Sequence, residues 1–168
     1  MADRRREGEF TEFARGQQQR MYRRAYLLTG SREEAQDLVQ TTLVKLYVAW
    51  PRVDQPAAYA YRVLVRAFLD GRRRSERERA LHVPIEPAAP PPDPDRALTL
   101  LAALAELPPR TRAAVVLRYW EDLPVAQAAA ALGCTPGTVK SLSSRGLALL
   151  RDLLGETFEE PVTEGATR

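Results

Sequence analysis

Apolar side chains recur every three or four residues over most of the chain, which is the spacing of one face of an α-helix. The strongest stripe follows Ser31 and Glu34, which together form a capping-box pattern, and it stops at Pro51. Its members are Ala35, Leu38, Val39, Thr42, Leu43, Leu46, Tyr47 and Trp50. The pattern predicts a helix of about five turns with one buried side.

Two further helices are predicted, one on each side of this stripe. The earlier helix is marked by Phe10, Phe13, Ala14, Met21, Ala25 and Leu28, and Gly30 is expected to end it. The later helix begins near Pro56, and its predicted buried side carries Ala57, Tyr61, Leu64, Phe68 and Leu69. Its predicted outer side carries Tyr59, Arg62, Val63, Arg66 and Arg73. An aromatic ring among arginines can track phosphates and stack on unpaired bases, although a solvated charged face fits the pattern equally well.

The second half of the chain contains the residue pattern of a helix-turn-helix. Two apolar stripes come first, made of Leu98, Leu101, Leu104 and Leu107, and then of Ala113, Val116, Leu117 and Trp120. Beyond them, Ala129 allows a close helix crossing, Gly133 suits the tight turn, and Val139 fills the gap between the helices. Thr135 is expected to cap the second helix, and Pro136 fits its first position.

A helix that enters a major groove needs small, polar or basic residues on its outer side. The predicted inner side of the second helix consists of Val139, Leu142, Gly146, Leu149 and Leu150. The predicted outer side consists of Gly137, Thr138, Lys140, Ser141, Ser144 and Arg145. These residue types favour DNA binding over the other interpretation, a helical hairpin with a merely solvated face.

A proline-rich stretch, LHVPIEPAAPPPDPD, separates the two helical parts. Proline removes helix donors and favours extended backbone, so residues 80–95 are predicted to be an extended, protease-sensitive linker. The predicted organisation is a helical domain at 8–79, the linker, a helical domain at 96–155 and an acidic tail at 156–168. No segment alternates as a strand does, so the predicted fold class is all-α, with two small helical domains. The sequence leaves open whether these domains dock on each other.

Composition narrows the candidate chemistry. The chain has a formal net charge of +3, one cysteine and one histidine. A disulfide within the chain is therefore impossible, and Cys134 and His82 cannot supply a structural zinc site. No apolar run approaches the roughly 20 residues of a membrane span, and the N-terminus lacks the apolar stretch of a secretory signal. We expect a cytoplasmic protein without metal or cofactor.

The chain resembles the sigma-70 factors of the extracytoplasmic-function group, of the sigma-E type, over roughly residues 8–152. The stretch SREEAQDLVQTTLVKLYVAW is similar to the segment that docks on a coiled coil of the largest subunit of RNA polymerase. The resemblance implies a polymerase-docking set of Asp37, Leu38, Gln40, Thr41 and Lys45.

The same resemblance implies two DNA-binding segments. AYAYRVLVRAFLDGRRR is similar to the segment that melts and reads the minus-ten promoter element, which implies DNA-facing roles for Tyr59, Arg62, Arg66 and Arg73. Residues 52–55 correspond to the loop that holds a flipped base. GTVKSLSSRG is similar to the helix that reads the minus-thirty-five element, which implies DNA-facing roles for Thr138, Lys140, Ser141, Ser144 and Arg145. The chain departs from the family at Arg66, where Asn is frequent, and at Gln127 and Ala128, where Glu and Ile are frequent.

The function implied is that of a sigma factor, which binds core RNA polymerase and directs promoter-specific initiation by recognising and melting promoter DNA. The resemblance also suggests an anti-sigma factor as a partner. A conventional helix-turn-helix regulator that binds DNA without polymerase is the main alternative, and a helical adaptor is another. An enzyme is disfavoured because the sequence offers no paired His/Cys nucleophile, metal-ligand cluster or phosphate-binding glycine loop.

Overall fold

The computed structural model describes residues 1–81 and 96–155, and every regular element within these ranges is helical. The first half consists of α1 (Ala2–Thr29), α2 (Arg32–Ala49) and α3 (Pro56–Leu81). The second half consists of α4 (Arg96–Glu106), α5 (Pro109–Val115), α6 (Val125–Leu132) and α7 (Pro136–Leu154). A 3₁₀ turn, Trp50–Arg52, follows α2, and a π-helical turn, Val116–Trp120, continues α5. The all-α prediction is confirmed. Of the predicted linker, only residues 80 and 81 are described, and they form the end of α3, whereas 82–95 and 156–168 lie outside the described residues.

Local sequence signals set the helix ends as predicted. Gly30 ends α1 with a φ of 71°, a left-handed conformation that favours glycine. The Ser31 hydroxyl then accepts a hydrogen bond from the Glu34 amide at 3.3 Å and so caps α2. In the second half, Gly133 turns the chain with a φ of 64°, and the Thr135 hydroxyl accepts from the Thr138 amide at 3.2 Å. The predicted helix-turn-helix is therefore present as α6, turn and α7.

The interior of the molecule belongs to both halves of the chain. One apolar cluster joins side chains from α1, α2 and α3 with side chains from α5, α6 and α7. Its largest fully buried members include Met21, Leu46, Leu64, Leu117 and Val139. A second cluster lies between α4, α5 and α7, and Leu27 from α1 packs against it. The two halves therefore dock on each other, which settles the question that the sequence left open.

Two residues lie on the other side of the helix from the side that the sequence predicts. Tyr47 is 47% exposed, although the stripe places it inside, and its ring contacts Phe10 at the edge of the interface with α1. Ala57 is also exposed, and the first buried residue of α3 is Ala60. Both residues lie near one end of a predicted stripe, and the spacing of apolar residues does not predict how much of each side chain the neighbouring helices cover.

Helices α5 and α7 approach each other closely at Gly146. A β-carbon at this position would lie 2.3 Å from Cγ2 of Val115 and 3.0 Å from Cγ2 of Thr111. Both neighbours are buried. Their side chains therefore have little room to move, and glycine is required here for its small size and not for its backbone freedom.

Replacing Gly146→Ala is expected to lower the free energy of unfolding by about 1–3 kcal/mol, the usual cost of overfilling a packed core. Gly137→Ala on the same helix is the matched control, because its β-carbon would meet only Thr135 Oγ1, at 3.9 Å. The control should be neutral or slightly stabilising, since alanine favours the helix over glycine. Urea denaturation followed by circular dichroism measures both variants, and equal midpoints for the two would contradict the close packing.

Candidate nucleic-acid and polymerase interfaces

Helix α7 separates a buried side from a polar exposed side, as the recognition-helix prediction requires. Val139 and Leu150 are fully buried, and Gly146 lies against α5. The side chains predicted to face DNA, namely Thr138, Lys140, Ser141, Ser144 and Arg145, are all exposed. They span two turns at the start of the helix, where a recognition helix meets base edges.

Helix α3 carries its predicted DNA-facing residues along one outer stripe. Tyr59, Arg62, Arg66 and Arg73 follow one another at intervals of three, four and seven residues, which places them on the same side of the helix. The three arginines are exposed and Tyr59 is half-buried. The Arg62 guanidinium lies 5.5 Å from the centre of the Tyr59 ring, so a flat aromatic surface and a cation are already paired at one end of the stripe.

The loop at residues 52–55 and the start of α3 face the helix-turn-helix across a cavity of about 760 Å³. Tyr59 and Arg62 line one wall together with the loop. Residues from the other half line the opposite wall, and they are Leu123, Gln127, Ala130 and Ala131. The surface predicted to read the minus-ten element, which consists of residues 52–55, Tyr59 and Arg62, therefore faces α6 in this structure.

Helix α2 presents its predicted docking residues opposite its core. Asp37, Gln40, Thr41 and Lys45 are exposed, whereas Leu38 is 8% exposed and packs in the interior. The exposed side continues into apolar residues that the sequence analysis did not place there. These are Val44, Tyr47 and Val48, which are 62%, 47% and 74% exposed.

A buried arginine connects the two halves of the chain. Nη1 of Arg112, on α5, donates a 2.5 Å hydrogen bond to the carbonyl of Leu28 at the end of α1. Its Nη2 donates to the carbonyls of Ala105 and Leu107 at 2.7 and 3.1 Å. Burial, and then the nearby charge of Arg72, lowers the pKa of Arg112 to about 10, so the group stays charged at neutral pH.

A second polar contact crosses between the halves at Glu121, which directly follows the π-helical turn. Nε of Arg24, on α1, lies 2.6 Å from Oε1 of Glu121. The Tyr61 hydroxyl donates to Oε2 of Glu121 at 3.2 Å, and the Arg24 guanidinium stacks 3.5 Å from the centre of the Tyr61 ring. Burial lowers the pKa of Arg24, and the Glu121 carboxylate opposes that shift.

Sequence reasoning missed Arg24, Arg112 and Glu121, although the two arginines left a signal. Arg24 lies within the stripe of Met21, Ala25 and Leu28, so its side chain had to enter the core. Arg112 begins an otherwise apolar run, RAAVVL. A charged residue at a buried register needs a partner, but nothing in the local sequence identifies which one.

The described residues contain neither a metal-binding cluster nor a membrane-spanning helix. Between residues 1–81 and 96–155, no three His, Cys, Asp or Glu side chains are grouped so that they could hold a metal ion. Within the same ranges, no helix combines the length and apolar character needed to cross a membrane.

Comparison with known proteins identifies both halves. Residues 14–78 match the sigma-70 region 2 family, and residues 97–150 match the sigma-70 region 4 family. The chain is 41% identical to the RNA polymerase sigma-E factor of Streptomyces coelicolor, over 87% of this chain and 86% of that one. It is 35% identical to the ECF RNA polymerase sigma factor SigE of Mycolicibacterium smegmatis, over 89% of this chain and 63% of that one.

Solved structures show the same fold. The sigma factor RpoE of Bartonella quintana, solved in complex with the anti-sigma factor NepR, matches with a TM-score of 0.76 at 26% identity, covering 89% of this chain and 99% of that one. CnrH, solved in complex with the cytosolic domain of CnrY, shares the fold with a TM-score of 0.62 at 22% identity, covering 86% of each chain. With two matching regions and relatives that align over most of its length, the chain belongs to the sigma-70 family of RNA polymerase sigma factors, in its extracytoplasmic-function group.

Proposed function

We propose that this sigma factor docks on core RNA polymerase through α2 and reads promoter DNA at two places. In this proposal α7 reads the minus-thirty-five element, and α3 with residues 52–55 reads and melts the minus-ten element. One observation carries the proposal: the three predicted sets lie mainly on the outer sides of three helices whose inner sides form the core.

The outer side of α2 has the composition of a protein-binding surface. Asp37, Gln40, Thr41 and Lys45 supply polar contacts, and Val44, Tyr47 and Val48 extend the face with exposed apolar area. Contiguous exposed apolar side chains beside polar ones mark interaction sites more often than plain surface. Leu38 supports this face indirectly, because its side chain packs in the core and holds in place the helix that carries the exposed docking residues.

The two predicted DNA readers differ in the contacts that they offer. On α7, Arg145 can form a bidentate pair with guanine, whereas Lys140 suits a phosphate, and the small Thr138, Ser141 and Ser144 allow close approach. On α3, the paired Tyr59 ring and Arg62 cation suit an unstacked base beside its phosphate. Arg66 and Arg73 continue that cationic line along the strand.

Partners and setting follow from the same proposal. We infer that the protein acts in the cytoplasm with polymerase, and that it binds and opens DNA without catalysing a reaction of its own or using a cofactor. We also infer that an anti-sigma factor binds it, because the similar RpoE of Bartonella quintana was solved with one.

Asp37→Arg is expected to weaken association with core polymerase by about tenfold or more, because it reverses a charge on the proposed docking face. Co-purification with tagged core polymerase measures the association. Glu12→Arg is the matched control, since Glu12 is an exposed acid on α1 outside that face. Both variants should keep the helicity of the wild-type chain by circular dichroism. If the two variants bind core polymerase equally well, α2 is not part of the docking surface.

Arg145→Ala is expected to reduce transcription from a preferred promoter by roughly 5- to 150-fold, which corresponds to the ~1–3 kcal/mol of a base contact. The loss should depend on the upstream element, because a lost base contact relaxes sequence choice. Lys140→Ala serves as the comparison. Because a phosphate contact does not depend on base sequence, this variant should lower transcription by the same factor on every promoter. Run-off transcription with core polymerase on templates with altered upstream elements separates the two. A common factor for Arg145→Ala on all templates would make Arg145 a phosphate contact.

A further inference from the structure

We propose that Phe10 and Phe13 on α1 are positioning residues for the loop at residues 52–55. Their rings hold Trp50, which begins the turn that leads into this loop. The proposal rests on the function proposed above, in which the loop and the start of α3 receive an unstacked base of the minus-ten element. Both phenylalanines precede residue 14, where the match to the sigma-70 region 2 family begins.

Three aromatic rings, which we call the aromatic cluster, meet at the end of α2. The Phe10 ring lies edge-on to the Trp50 ring, with 5.3 Å between the ring centres and 85° between the planes. The Phe13 ring is tilted by 51° against the same indole, at 5.2 Å. Phe10 and Phe13 are three residues apart on one helix, so both lie on the side that meets Trp50. Ring pairs of this geometry are more stable than apolar burial alone would make them.

The first half of α1 depends on the aromatic cluster for its contact with the rest of the protein. None of the described side chains in residues 4–20 is buried, and the first buried residue of the helix is Met21. The only large apolar side chains in residues 4–20 are Phe10 and Phe13, and both are half-buried. The aromatic cluster therefore lies outside the fully buried core, and the core does not depend on it.

Trp50 connects the aromatic cluster to the loop through the backbone. It begins the 3₁₀ turn Trp50–Arg52, and its carbonyl accepts a hydrogen bond from the Val53 amide at 3.3 Å. The opposite end of the loop is tied to α3, because the Gln55 carbonyl accepts from the Tyr59 amide at 3.0 Å. None of the four loop side chains is buried. The position of the loop therefore depends on its two ends, and the aromatic cluster holds one of them.

Capture of a base requires the loop to stay in place beside α3. Tyr59 and residues 52–55 line the same wall of the cavity. A base that leaves the duplex loses its stacking, and only contacts with a well-placed pocket offset that cost. A loop that moves freely is in the right place for only part of the time, and capture weakens by that fraction. The aromatic cluster should therefore affect strand opening more than it affects the fold or polymerase docking.

Hydrogen exchange of the free, full-length chain measures the effect on the loop without DNA or polymerase. Phe13→Ala removes one ring from the aromatic cluster. We expect amides in residues 50–55 to exchange roughly three- to tenfold faster, the factor that corresponds to a lost aromatic pair. Phe13→Tyr keeps a ring at this half-buried position, so its exchange should stay near that of the wild type.

Tyr22→Ala is the matched control for this measurement. It removes a half-buried ring from the same helix, where that ring stacks on Tyr26 at 6.1 Å. Exchange in residues 50–55 should stay near that of the wild type in this variant. Equal acceleration by Phe13→Ala and Tyr22→Ala would overturn the proposal, because the loop would then respond to any loss of packing on α1.

Run-off transcription with core polymerase tests the consequence for strand opening. Each variant is assayed on a duplex promoter and on the same promoter with a mismatched bubble across the minus-ten element. Phe13→Ala should lower transcription from the duplex by roughly three- to tenfold, and from the bubble by a clearly smaller factor, because the bubble has already lost its pairing. Phe13→Leu keeps apolar bulk without the ring, and it should show the same pattern at smaller size. Phe13→Tyr should transcribe both templates as the wild type does.

The transcription results distinguish a failure of this proposal from a failure of the proposed function. A wild-type protein that yields no transcripts from either template would overturn both. If the wild type is active, and Phe13→Ala and Phe13→Leu each lower both templates by the same factor, the function stands and the positioning role is wrong. A selective loss on the duplex, with Tyr22→Ala affecting both templates equally, supports the positioning role.

Discussion

One buried guanidinium, that of Arg112, needs hydrogen-bond acceptors from both halves of this sigma factor, and this requirement constrains how the halves meet around their shared apolar core. The group reaches the carbonyl of Leu28 at the end of α1 and the carbonyls of Ala105 and Leu107 at the end of α4. The C-terminal end of a helix carries partial negative charge and unpaired carbonyls, so it suits a cation. A buried charge without such acceptors would cost several kcal/mol, and these contacts therefore fix α1, α4 and α5 in one frame.

The arrangement of α1, α4 and α5 determines which of the proposed polymerase-binding and DNA-binding surfaces are exposed. Helix α7 packs on α4, α5 and α6, so its polar side faces away from the frame. Helix α2 packs on α1 and α3 and leaves its proposed docking face exposed. Helix α3 instead turns Tyr59 and Arg62 towards α6. The surfaces proposed for polymerase docking and for upstream reading are thus exposed, whereas the surface proposed for minus-ten reading faces α6.

The sequence predicts what depends on neighbouring residues and fails where distant residues meet. Helix ends at Gly30, Ser31 and Thr135 follow from backbone conformation and local caps, and the outer face of α7 follows from periodicity. The contact between Arg112 and Leu28 spans 84 residues, and no local pattern encodes it. Periodicity likewise predicts a buried Tyr47, which is 47% exposed, because it gives the side of a helix but not how far the neighbouring helix covers it.

Run-off transcription on genomic fragments distinguishes a sigma factor from a regulator that binds DNA alone, because a sigma factor has no promoter activity without its polymerase. The assay compares core polymerase alone, this protein alone and the two together. We expect transcripts from discrete start sites only when both are present. The contradicting result has two parts: the combined reaction yields no discrete transcripts, and the protein alone binds specific duplex DNA. That result would indicate a conventional helix-turn-helix regulator.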